Sequence, residues 1–351
     1  MIDRETSYEV DDVPVPPGPS NDRLRGMLLG IAIGDALGNT TESMAPEQRR
    51  ERHGEVTHFL PNDDAEVGVP SDETQLAFWT VESLLEHGRV DPEHLIERFA
   101  ADEIYGGGDA VERAVEAYNY GANWNEAGEP SAGNGALARI APVVLPHLPT
   151  DGRKLWEDVV FGTIVTHNDE MAVVASIGFT GMLFEVFGAG VDEASGEWWV
   201  DKFLKYARPA ETDREYPSRS PHVSFQGSLC DMVDTHMRRA AEGYISIVDA
   251  CNTWYSGAYL LETVPSALLV LARSADDPEK ALIRAVNDTH DSDSIASVVG
   301  AAVGALHGTD AFPSRWVDNL SGRTREDDEG HVFDLIDRAI ERFGLRSGDA
   351  E

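Results

Sequence analysis

The stretch RLRGMLLGIAIGDALG, residues 23–38, decides the predicted fold. Its apolar residues recur at intervals of three and four, which is the spacing of an α-helix with a buried face. Its four glycines are spaced by four: Gly26, Gly30, Gly34 and Gly38. On a helix they would form one smooth ridge that another helix can approach closely. The same spacing occurs in membrane dimers, but Asp35 interrupts this short run, so we predict close packing inside a globular core.

The same helical spacing recurs along the chain, whereas the alternation that is typical of strands is scarce. Further predicted helices cover residues 75–87, 93–104, 109–119, 154–166, 169–187, 239–250, 257–273, 278–288, 293–307 and 331–343. The best strand candidates are THFLP, residues 57–61, and HVSF, residues 222–225. We therefore predict an all-α fold with a single compact multi-helix domain over residues 22–310. A flexible, acidic and proline-rich tail precedes it at residues 1–21, and an extension at residues 311–351 ends in a helix packed on the domain.

The charge balance bears on the partners of the protein. The chain of 351 residues has 63 acidic and 28 basic side chains, and its formal net charge at pH 7 is −35. Surfaces that bind nucleic acid are basic, so we expect no nucleic-acid partner. We expect no membrane partner either, because we find no apolar run of the length that a span requires. The first residues, MIDRETSYEVDDVP, lack the apolar core of an export signal.

Lysine and cysteine usage adds two expectations. The basic residues include only four lysines: Lys154, Lys202, Lys205 and Lys280. An acidic surface with few lysines suits concentrated salt, where screening removes self-repulsion, so a salt-loving source is a hypothesis. The two cysteines, Cys230 and Cys251, match no metal or redox spacing. We expect buried thiols in a cytoplasmic protein that is a monomer.

The stretch HDSDSIASVVGAAVGALHG, residues 290–308, places two aspartates and two hydroxyls at the mouth of an apolar helix pattern. If the helix starts near Ser294, the helix dipole favours both aspartates at its N-terminus. Capping explains one aspartate. It leaves Asp291 unexplained, because this residue would lie beyond the reach of a simple cap.

A second cluster, PSDETQLAFWTVESLL at residues 70–85, again places hydroxyls and carboxylates before an apolar helix. Taken alone, it is an ordinary helix start, with Ser71 or Asp72 as the cap. A third segment, GDALGNTTE at residues 34–42, adds Asp35, which alone could be a cap or a surface residue, and Glu42.

Four carboxylates in one place would repel each other strongly: Asp72, Glu73, Asp291 and Asp293. Two unit charges about 4 Å apart repel by roughly 4 kcal/mol at an effective dielectric constant near 20. Two divalent cations would neutralise all four, and hard cations such as Mg²⁺ or Mn²⁺ prefer oxygen ligands. The sequence does not itself bring residues 72 and 291 together, so helix capping remains an alternative.

Six segments, in order, resemble motifs of the ADP-ribosylglycohydrolase family, the hydrolases related to dinitrogenase reductase-activating glycohydrolase. They are RGMLLGIAIGDALGNTTE, SDETQLAFW, SAGNGALARIAP, THNDEMAV, GAYLLETVPSALLVL and HDSDSIASVVGAAVGAL, and they span nearly all of residues 22–308. The resemblance implies an all-α hydrolase with a dinuclear Mg²⁺ or Mn²⁺ centre in a cleft. It implies release of ADP-ribose from an ADP-ribosylated protein or a small-molecule ADP-ribose conjugate.

The resemblance also assigns roles motif by motif. The implied metal ligands are Ser71, Asp72, Glu73, Asp291, Asp293 and Ser294, with Asp293 between the two cations. The implied catalytic residues are Glu42, Asp72 and Asp293, and Asp35 has a supporting role. Expected substrate-binding residues are Gly107, Gly108, Ser131, Gly133, Asn134, Gly135 and His167. The glycines among them expose backbone amides that phosphate can approach.

Some positions depart from the family pattern or leave a choice open. Glu73 stands where an aspartate is more usual, His290 stands where glycine is frequent, and Ala138 precedes Arg139. Trp254 and Tyr255 are candidates for stacking on adenine or for ordinary core packing. Two other functions remain open: hydrolysis of O-acetyl-ADP-ribose or another nucleoside diphosphate sugar, and binding of ADP-ribose by a catalytically weak relative. The acceptor and the bond type, N- or O-glycosidic, also remain open.

Overall fold

The computed structural model describes residues 20–61, 67–148, 154–241 and 244–344. These residues form eighteen α-helices. Their bounds are α1 Asn21–Gly38, α2 Pro46–His53, α3 Asp72–His87, α4 Pro92–Ala100, α5 Asp109–Asn119, α6 Trp124–Ala127, α7 Gly135–Arg139, α8 Leu155–Ile164, α9 Glu170–Gly188, α10 Trp198–Ala207, α11 Leu229–Met232, α12 Arg238–Ala241, α13 Ile247–Trp254, α14 Leu260–Ser274, α15 Pro278–Asp288, α16 Ser292–His307, α17 Ser314–Val317 and α18 His331–Phe343. The predicted all-α class is confirmed.

Other regular segments are short. Single 3₁₀ turns or runs occupy Asn39–Thr41, Ala141–His147, Arg208–Ala210 and Thr309–Ala311, and a π-helical turn occupies Val233–Met237. The strands in the described part of the chain are β1, Tyr216–Pro217, and β2, Gln226–Gly227, which pair antiparallel.

Helices α1 and α16 pack antiparallel with their backbones in contact. A Cβ atom added to Gly30 would lie closer than 3.0 Å to the carbonyl oxygen of Gly300, and one added to Gly300 would meet Gly30 in return. Gly26 meets Gly304 in the same way, and Gly34 meets the backbone of Ala296. The structure confirms the glycine ridge and identifies α16 as its partner. The register carries the C-terminal end of α1 to the N-terminal end of α16.

Helix α9 lies at the centre of the protein. It contains 19 residues with a mean hydropathy of 1.7, so it is long and apolar enough to cross a membrane by length and composition. Our expectation that no run would reach this length was therefore wrong. The helix nevertheless has 89% of its most apolar window buried inside the protein. It packs against α8, α10 and α16, as the central helix of a globular domain does.

Three local predictions were wrong. The pattern at residues 239–250 predicted one helix, but residues 244–246 are not helical. Helix α13 begins only at Ile247, where Ser246 caps it by accepting from the amide of Asp249. Neither strand candidate is a strand. In THFLP, Phe59 is buried and packs on Gly68. HVSF lies in the connection before β2. In both segments, apolar and polar residues alternate because one side of the segment is buried. Neither segment pairs with a neighbouring strand in the described part of the chain.

The chain termini and the cysteines complete the fold. Residues 1–19 of the expected tail lie outside the described residues, and Ser20 caps α1 by accepting from the amide of Arg23. Cys230 and Cys251 are free and buried, as predicted. At the other end, α18 packs on α1 and α3. An ion pair of 2.6 Å between Arg25 and Asp337 joins α1 to α18.

The close approach of α1 and α16 predicts the effect of one methyl group. Gly30→Ala would push its Cβ into the backbone of Gly300, so it should destabilise the protein by about 3 kcal/mol or more, at the upper end for overpacking. Gly190→Ala is the matched control, because this exposed glycine has no neighbour within 4 Å of an added Cβ. Urea unfolding measures both. Equal free energies of unfolding for the two variants would contradict the packing.

Candidate active site

The two acidic clusters meet where α1 ends and α16 begins. Helix α16 starts at Ser292, one residue before the predicted range of 293–307, and the hydroxyl of Ser292 donates to the carbonyl oxygen of Gly38 at 3.0 Å. Asp291 occupies the N-cap position, but its side chain makes no capping hydrogen bond. The carboxylate of Asp291 therefore does not cap this helix, whereas Asp293 Oδ1 accepts from the amide of Ser294 at 2.9 Å.

Helix α3 is capped from another helix. The carboxylate of Asp35, on α1, accepts from the amide of Ser71 at 2.9 Å and from the amide of Thr74 at 3.0 Å. Ser71 itself is the N-cap residue but makes no capping bond through its side chain. The alternative in which Ser71 or Asp72 caps α3 is thus wrong. Asp35 is fully buried and connects the acidic cluster at the start of α3 to the end of α1.

Two groups of three carboxylates result, and they share one member. Atoms of Asp35, Glu73 and Asp293 lie within 4.8 Å of one another, and so do atoms of Glu42, Asp291 and Asp293. Residues 73 and 293, which are far apart in sequence, therefore lie together, and Asp293 stands between the two groups. Every donor in both groups is an oxygen, so the set suits a hard cation and not a soft one.

Electrostatic repulsion in these groups is large. Burial, together with the charge of Glu73, raises the pKa of Asp35 to about 7 and holds the pKa of Asp293 well above its ordinary value. Burial and the charge of Asp291 raise the pKa of Glu42 to about 7. Asp72 lies in neither group of three, but it lines the cleft, and burial beside Glu73 raises its pKa well above the ordinary value. Either protons or cations must offset so much negative charge.

Hydroxyl groups tie the carboxylates together. The Ser294 hydroxyl donates to Glu73 Oε1 at 2.5 Å and so connects α16 to α3. The Ser71 hydroxyl lies 2.7 Å from Asp35 Oδ1 and also 2.7 Å from Glu73 Oε2. It has a single proton and can donate to only one of these oxygens. The second close contact requires a proton or a cation between the oxygens.

Arg49 positions Glu42 and was missed by the sequence analysis. Its buried guanidinium donates to the Thr41 carbonyl at 3.0 Å and to the Thr289 carbonyl at 2.8 Å. It thus fastens the turn that precedes Glu42 to the segment that precedes Asp291. Burial lowers the pKa of Arg49 to about 10, which leaves it charged at neutral pH. A single arginine on a polar helix gives no sequence signal for such a role.

Gly133, Asn134 and Gly135, which we call the glycine loop, form one wall of a cleft of about 610 Å³. Gly133 pairs with Tyr259 in an isolated antiparallel bridge, and the Asn134 amide donates to the Ala258 carbonyl at 2.9 Å. Asn134 Nδ2 donates to Asp291 Oδ2 at 2.6 Å, so this buried side chain orients a carboxylate of the acidic site. Gly135 lies beside Gly133 in the lining.

Some of the remaining predicted binding residues line the cleft and others do not. Gly108 and Ser131 line the cleft, and Ser131 accepts from the amide of Gly133 at 3.2 Å. Gly107 is not in the lining, because it packs against Ile104, and Gly106 occupies the wall in its place. A run of three glycines has no internal feature that tells which of them faces a ligand.

His167 lies behind the glycine loop with a defined tautomer. Arg139 donates to the Thr166 hydroxyl at 2.5 Å, and that hydroxyl lies 2.9 Å from His167 Nδ1. Arginine can only donate, and the described contacts give the Thr166 hydroxyl no acceptor other than Nδ1. We therefore assign the Thr166 proton to Nδ1 and the imidazole proton to Nε2. A Cβ on Gly133 would lie 3.5 Å from Nε2, so this N–H faces the loop. Burial and the charge of Arg139 lower the pKa of His167 to about 3.

The structure gives different positions to the two aromatic residues at the end of α13. Tyr255 is half-exposed and lines the cleft, whereas Trp254 is buried and donates from its indole to Ser266 Oγ at 2.7 Å. Tyr255 has a φ of 86°, an unusual value for a residue with a side chain. Its ring stacks on His290 with centroids 4.4 Å apart. His290 therefore supports the Tyr255 ring from behind.

Arg219 is the second residue that the sequence analysis missed. It comes from the long irregular stretch near residues 208–230 and lines the cleft with Pro221. Its guanidinium lies 4.0 Å from the centroid of the Tyr259 ring. Among the lining residues in the described part of the chain it is the one arginine or lysine, in a wall that also contains Glu262. No local pattern distinguishes it from the other arginines of this loop.

Comparisons of this chain with a family model, with known proteins and with solved structures agree with one another. The family model described as ADP-ribosylglycohydrolase matches residues 17–348. The chain is 26% identical to the ADP-ribosylarginine hydrolase Tri1 of Pseudomonas putida, over 87% of this chain and 76% of that protein. It is 25% identical to the ADP-ribosyl-(dinitrogen reductase) glycohydrolase of Rhodospirillum rubrum, over 91% of this chain and 97% of that protein. A solved structure of an ADP-ribosylglycohydrolase-related protein complex aligns with a TM-score of 0.65 at 26% identity, over 93% and 99% of the two chains.

The contacts of His167 predict its behaviour in a pH titration. Its imidazole should stay neutral from pH 8 down to about pH 4, with the proton on Nε2, because its pKa is lowered to about 3. Nitrogen-15 NMR of the ring measures both the tautomer and the titration, and the signal lost in His167→Asn gives the assignment. Below about pH 6.5 the unfolded state binds a proton that the folded state does not, so this residue lowers stability as the pH falls. A midpoint near pH 6.5, or a proton on Nδ1, would disprove the arrangement.

Proposed function

Because the chain belongs to the ADP-ribosylglycohydrolase family, we propose that it is a metal-dependent hydrolase that releases ADP-ribose from a modified side chain or a small acceptor. The observation that carries the proposal is that two groups of three carboxylates share Asp293. They lie beside a cleft that is lined by glycine amides. The cleft volume of about 610 Å³ lies within the range of about 300–1,000 Å³ that small-molecule sites occupy.

The donor set fits two hard divalent cations, Mg²⁺ or Mn²⁺. We assign the ligands as Ser71, Asp72, Glu73, Asp291, Asp293 and Ser294, with Asp293 shared. Asp35 contributes a further carboxylate to the first group, while its cap on α3 holds Ser71 in place. When bound, such cations supply Lewis-acid polarisation of sugar hydroxyls and lower the pKa of a coordinated water.

The chain itself orients the reacting sugar and moves protons. Glu42 lines the cleft at its boundary with Asp291 and Asp293, on a turn that Arg49 holds rigid. A carboxyl group in this place can exchange a proton with the leaving group or with the attacking water, as glycoside hydrolysis requires. Asn134 holds Asp291 and leaves the Gly133 and Gly135 backbone facing the ligand.

The rest of the cleft suits a nucleoside diphosphate. Arg219 offers positive charge to a diphosphate, and the Nε2–H of His167 is a neutral donor beside the glycine loop. The half-exposed ring of Tyr255 can stack on a base. The Pseudomonas relative is named for ADP-ribosylarginine and the Rhodospirillum relative for dinitrogen reductase, so arginine linkages come first among the substrates to be tested.

Release of free ADP-ribose tests the function. The substrates are arginine-linked, serine-linked and O-acetyl ADP-ribose, each in high salt with Mg²⁺ or Mn²⁺ and again with excess chelator. We expect release that the chelator abolishes, and the responsive substrate identifies the linkage. Glu42→Gln and Asp293→Asn should each lower turnover at least about 100-fold, because removing an acid–base group or a shared ligand has effects of this order.

Glu341→Gln is the control for these variants, because Glu341 is exposed on α18 and should keep full turnover. If no substrate of the panel yields ADP-ribose while the folded protein binds the cation, the protein is a binding relative or acts on another glycoside. Unchanged turnover in Glu42→Gln would remove Glu42 from the mechanism.

Arg219 predicts a separate effect on substrate binding. Arg219→Gln should raise KM at least about tenfold with a smaller change in kcat, because a charge-assisted hydrogen bond contributes about 1.5–3 kcal/mol. Arg219→Lys should keep part of the affinity, since it retains the charge but loses the planar contact with Tyr259. Arg239→Gln is the control, because Arg239 is exposed on α12 and outside the cleft lining. A KM that Arg219→Gln leaves unchanged would exclude a phosphate contact.

A further inference from the structure

A second cluster of metal-binding side chains lies outside the cleft, at the C-terminal end of α3. Ligand atoms of Glu86, His87 and His94 lie within 4.8 Å of one another. Neither the proposed reaction nor the family motifs use these residues. Two of the three donors are imidazole nitrogens, whereas the groups around Asp293 offer oxygen only. The two sites therefore prefer different metals, because nitrogen donors favour zinc, nickel and copper over magnesium and manganese.

The backbone brings the two histidines together. Helix α3 ends at His87, and Gly88 follows with a φ of 75°, a left-handed conformation that turns the chain at once. Asp91 then caps α4 by accepting from the amides of Glu93 and His94 at 3.1 Å. This tight connection places the ring centroids of His87 and His94 4.4 Å apart. Their proximity thus follows from two helix ends and not from free rotation of surface side chains.

Each histidine also has an outer partner. Ser83 Oγ, which belongs to a buried residue, lies 2.9 Å from His94 Nδ1, and His94 Nε2 lies 3.3 Å from Glu86 Oε2. Asp91 Oδ2 lies 3.6 Å from His87 Nδ1. Imidazoles that bind metals commonly have one nitrogen held by a hydroxyl or a carboxylate, which orients the other nitrogen toward the ion. His94 has this arrangement, with Nε2 toward the carboxylate of Glu86.

The surrounding charge allows a dication. Glu86 and Asp91 bring negative charge directly to the histidines. The nearby Arg98 is paired with Glu82 at 2.6 Å and with Asp102 at 3.0 Å. Arg338, which is exposed, is the other arginine in the depression that Glu86 and His94 line. Arg342 lies next to Gly88, where its Nη2 would be 3.6 Å from an added Cβ.

We propose that Glu86, His87 and His94 bind one borderline transition-metal dication of the zinc, nickel or copper class, with Ser83 and Asp91 as outer partners. The ion would fasten the end of α3 to the start of α4. Because the other end of α3 carries Ser71, Asp72 and Glu73, the clamp stabilises the helix that supports half of the acidic site. Three protein ligands leave the remaining coordination positions to water.

Copper is the probe, because Cu²⁺ bound by imidazole shows nitrogen coupling in its paramagnetic resonance spectrum. The full-length protein is first saturated with Mg²⁺ and then receives one equivalent of Cu²⁺. We expect nitrogen-coupled copper in the wild type and in Asp293→Asn. The double variant His87→Asn with His94→Asn should lose this signal and bind at least about 100-fold more weakly, since loss of an outer partner alone lowers metal affinity about 10–100-fold.

Two further variants separate a built site from adventitious binding. His58→Asn removes an exposed histidine elsewhere and should leave the signal intact. Ser83→Ala should weaken Zn²⁺ binding about tenfold in calorimetry while leaving the fold and the oxygen-donor site unchanged. If the double variant retains the nitrogen-coupled copper, or if the signal is lost in Asp293→Asn, the proposal is overturned. The outcome is independent of ADP-ribose release, so either proposal can fail alone.

Discussion

Backbone contact between α1 and α16 is the constraint on which the site depends. Glycines on both helices remove the side chains that would hold the axes apart, so carbonyl oxygens of one helix approach Cα atoms of the other. The contact is antiparallel and runs the length of both helices. It therefore sets the position of Gly38 against Asp293 as rigidly as it sets Gly26 against Gly304. Asp35 and Glu42 from one helix end reach Asp291 and Asp293 from the other because of this register.

The carboxylates that meet there oppose folding, and other features of the chain offset them. The buried carboxylate of Asp35 accepts hydrogen bonds from the amides at the start of α3. It therefore takes the role of the N-cap side chain that this helix lacks. The buried Arg49 provides a positive charge close to Asp288 and Asp293 without direct pairing to either. Backbone conformations that are rare for residues with side chains occur nearby, at Ser43, Tyr255 and Ser256. Strain and repulsion of this kind are expected at functional sites, where geometry takes precedence over stability.

The sequence predicted those features that a local pattern carries. The glycine ridge, the helical class and the residue types of both acidic clusters can each be recognised from residues that are close together in the sequence. What it did not contain was the partner of each segment. Asp35 resembled a minor supporting residue because the amides it caps belong to a helix 36 residues away along the chain. Arg49 and Arg219 are single basic residues without a motif, and their roles arise from which carbonyls or rings the fold brings to them. The break between α12 and α13 was hidden because apolar spacing continues on both sides of it.

A protein with a net charge of −35 is an unusual host for a dianionic ligand, and the arrangement of the cleft answers this difficulty. Charges farther away than the Debye length, about 8 Å at physiological ionic strength, contribute little, so the groups in contact decide the binding. Most of the lining carboxylates lie together at the α1–α16 end, where cations would offset them. Asp109 and Glu262 are the exceptions, and burial raises the pKa of Glu262 to about 7. The wall that we propose for a diphosphate instead presents backbone amides, Arg219, and a histidine that burial and the charge of Arg139 keep neutral. If the proposed function holds, it is this uneven distribution of charge within one cleft, and not the overall charge, that would allow an acidic protein to bind an acidic nucleotide.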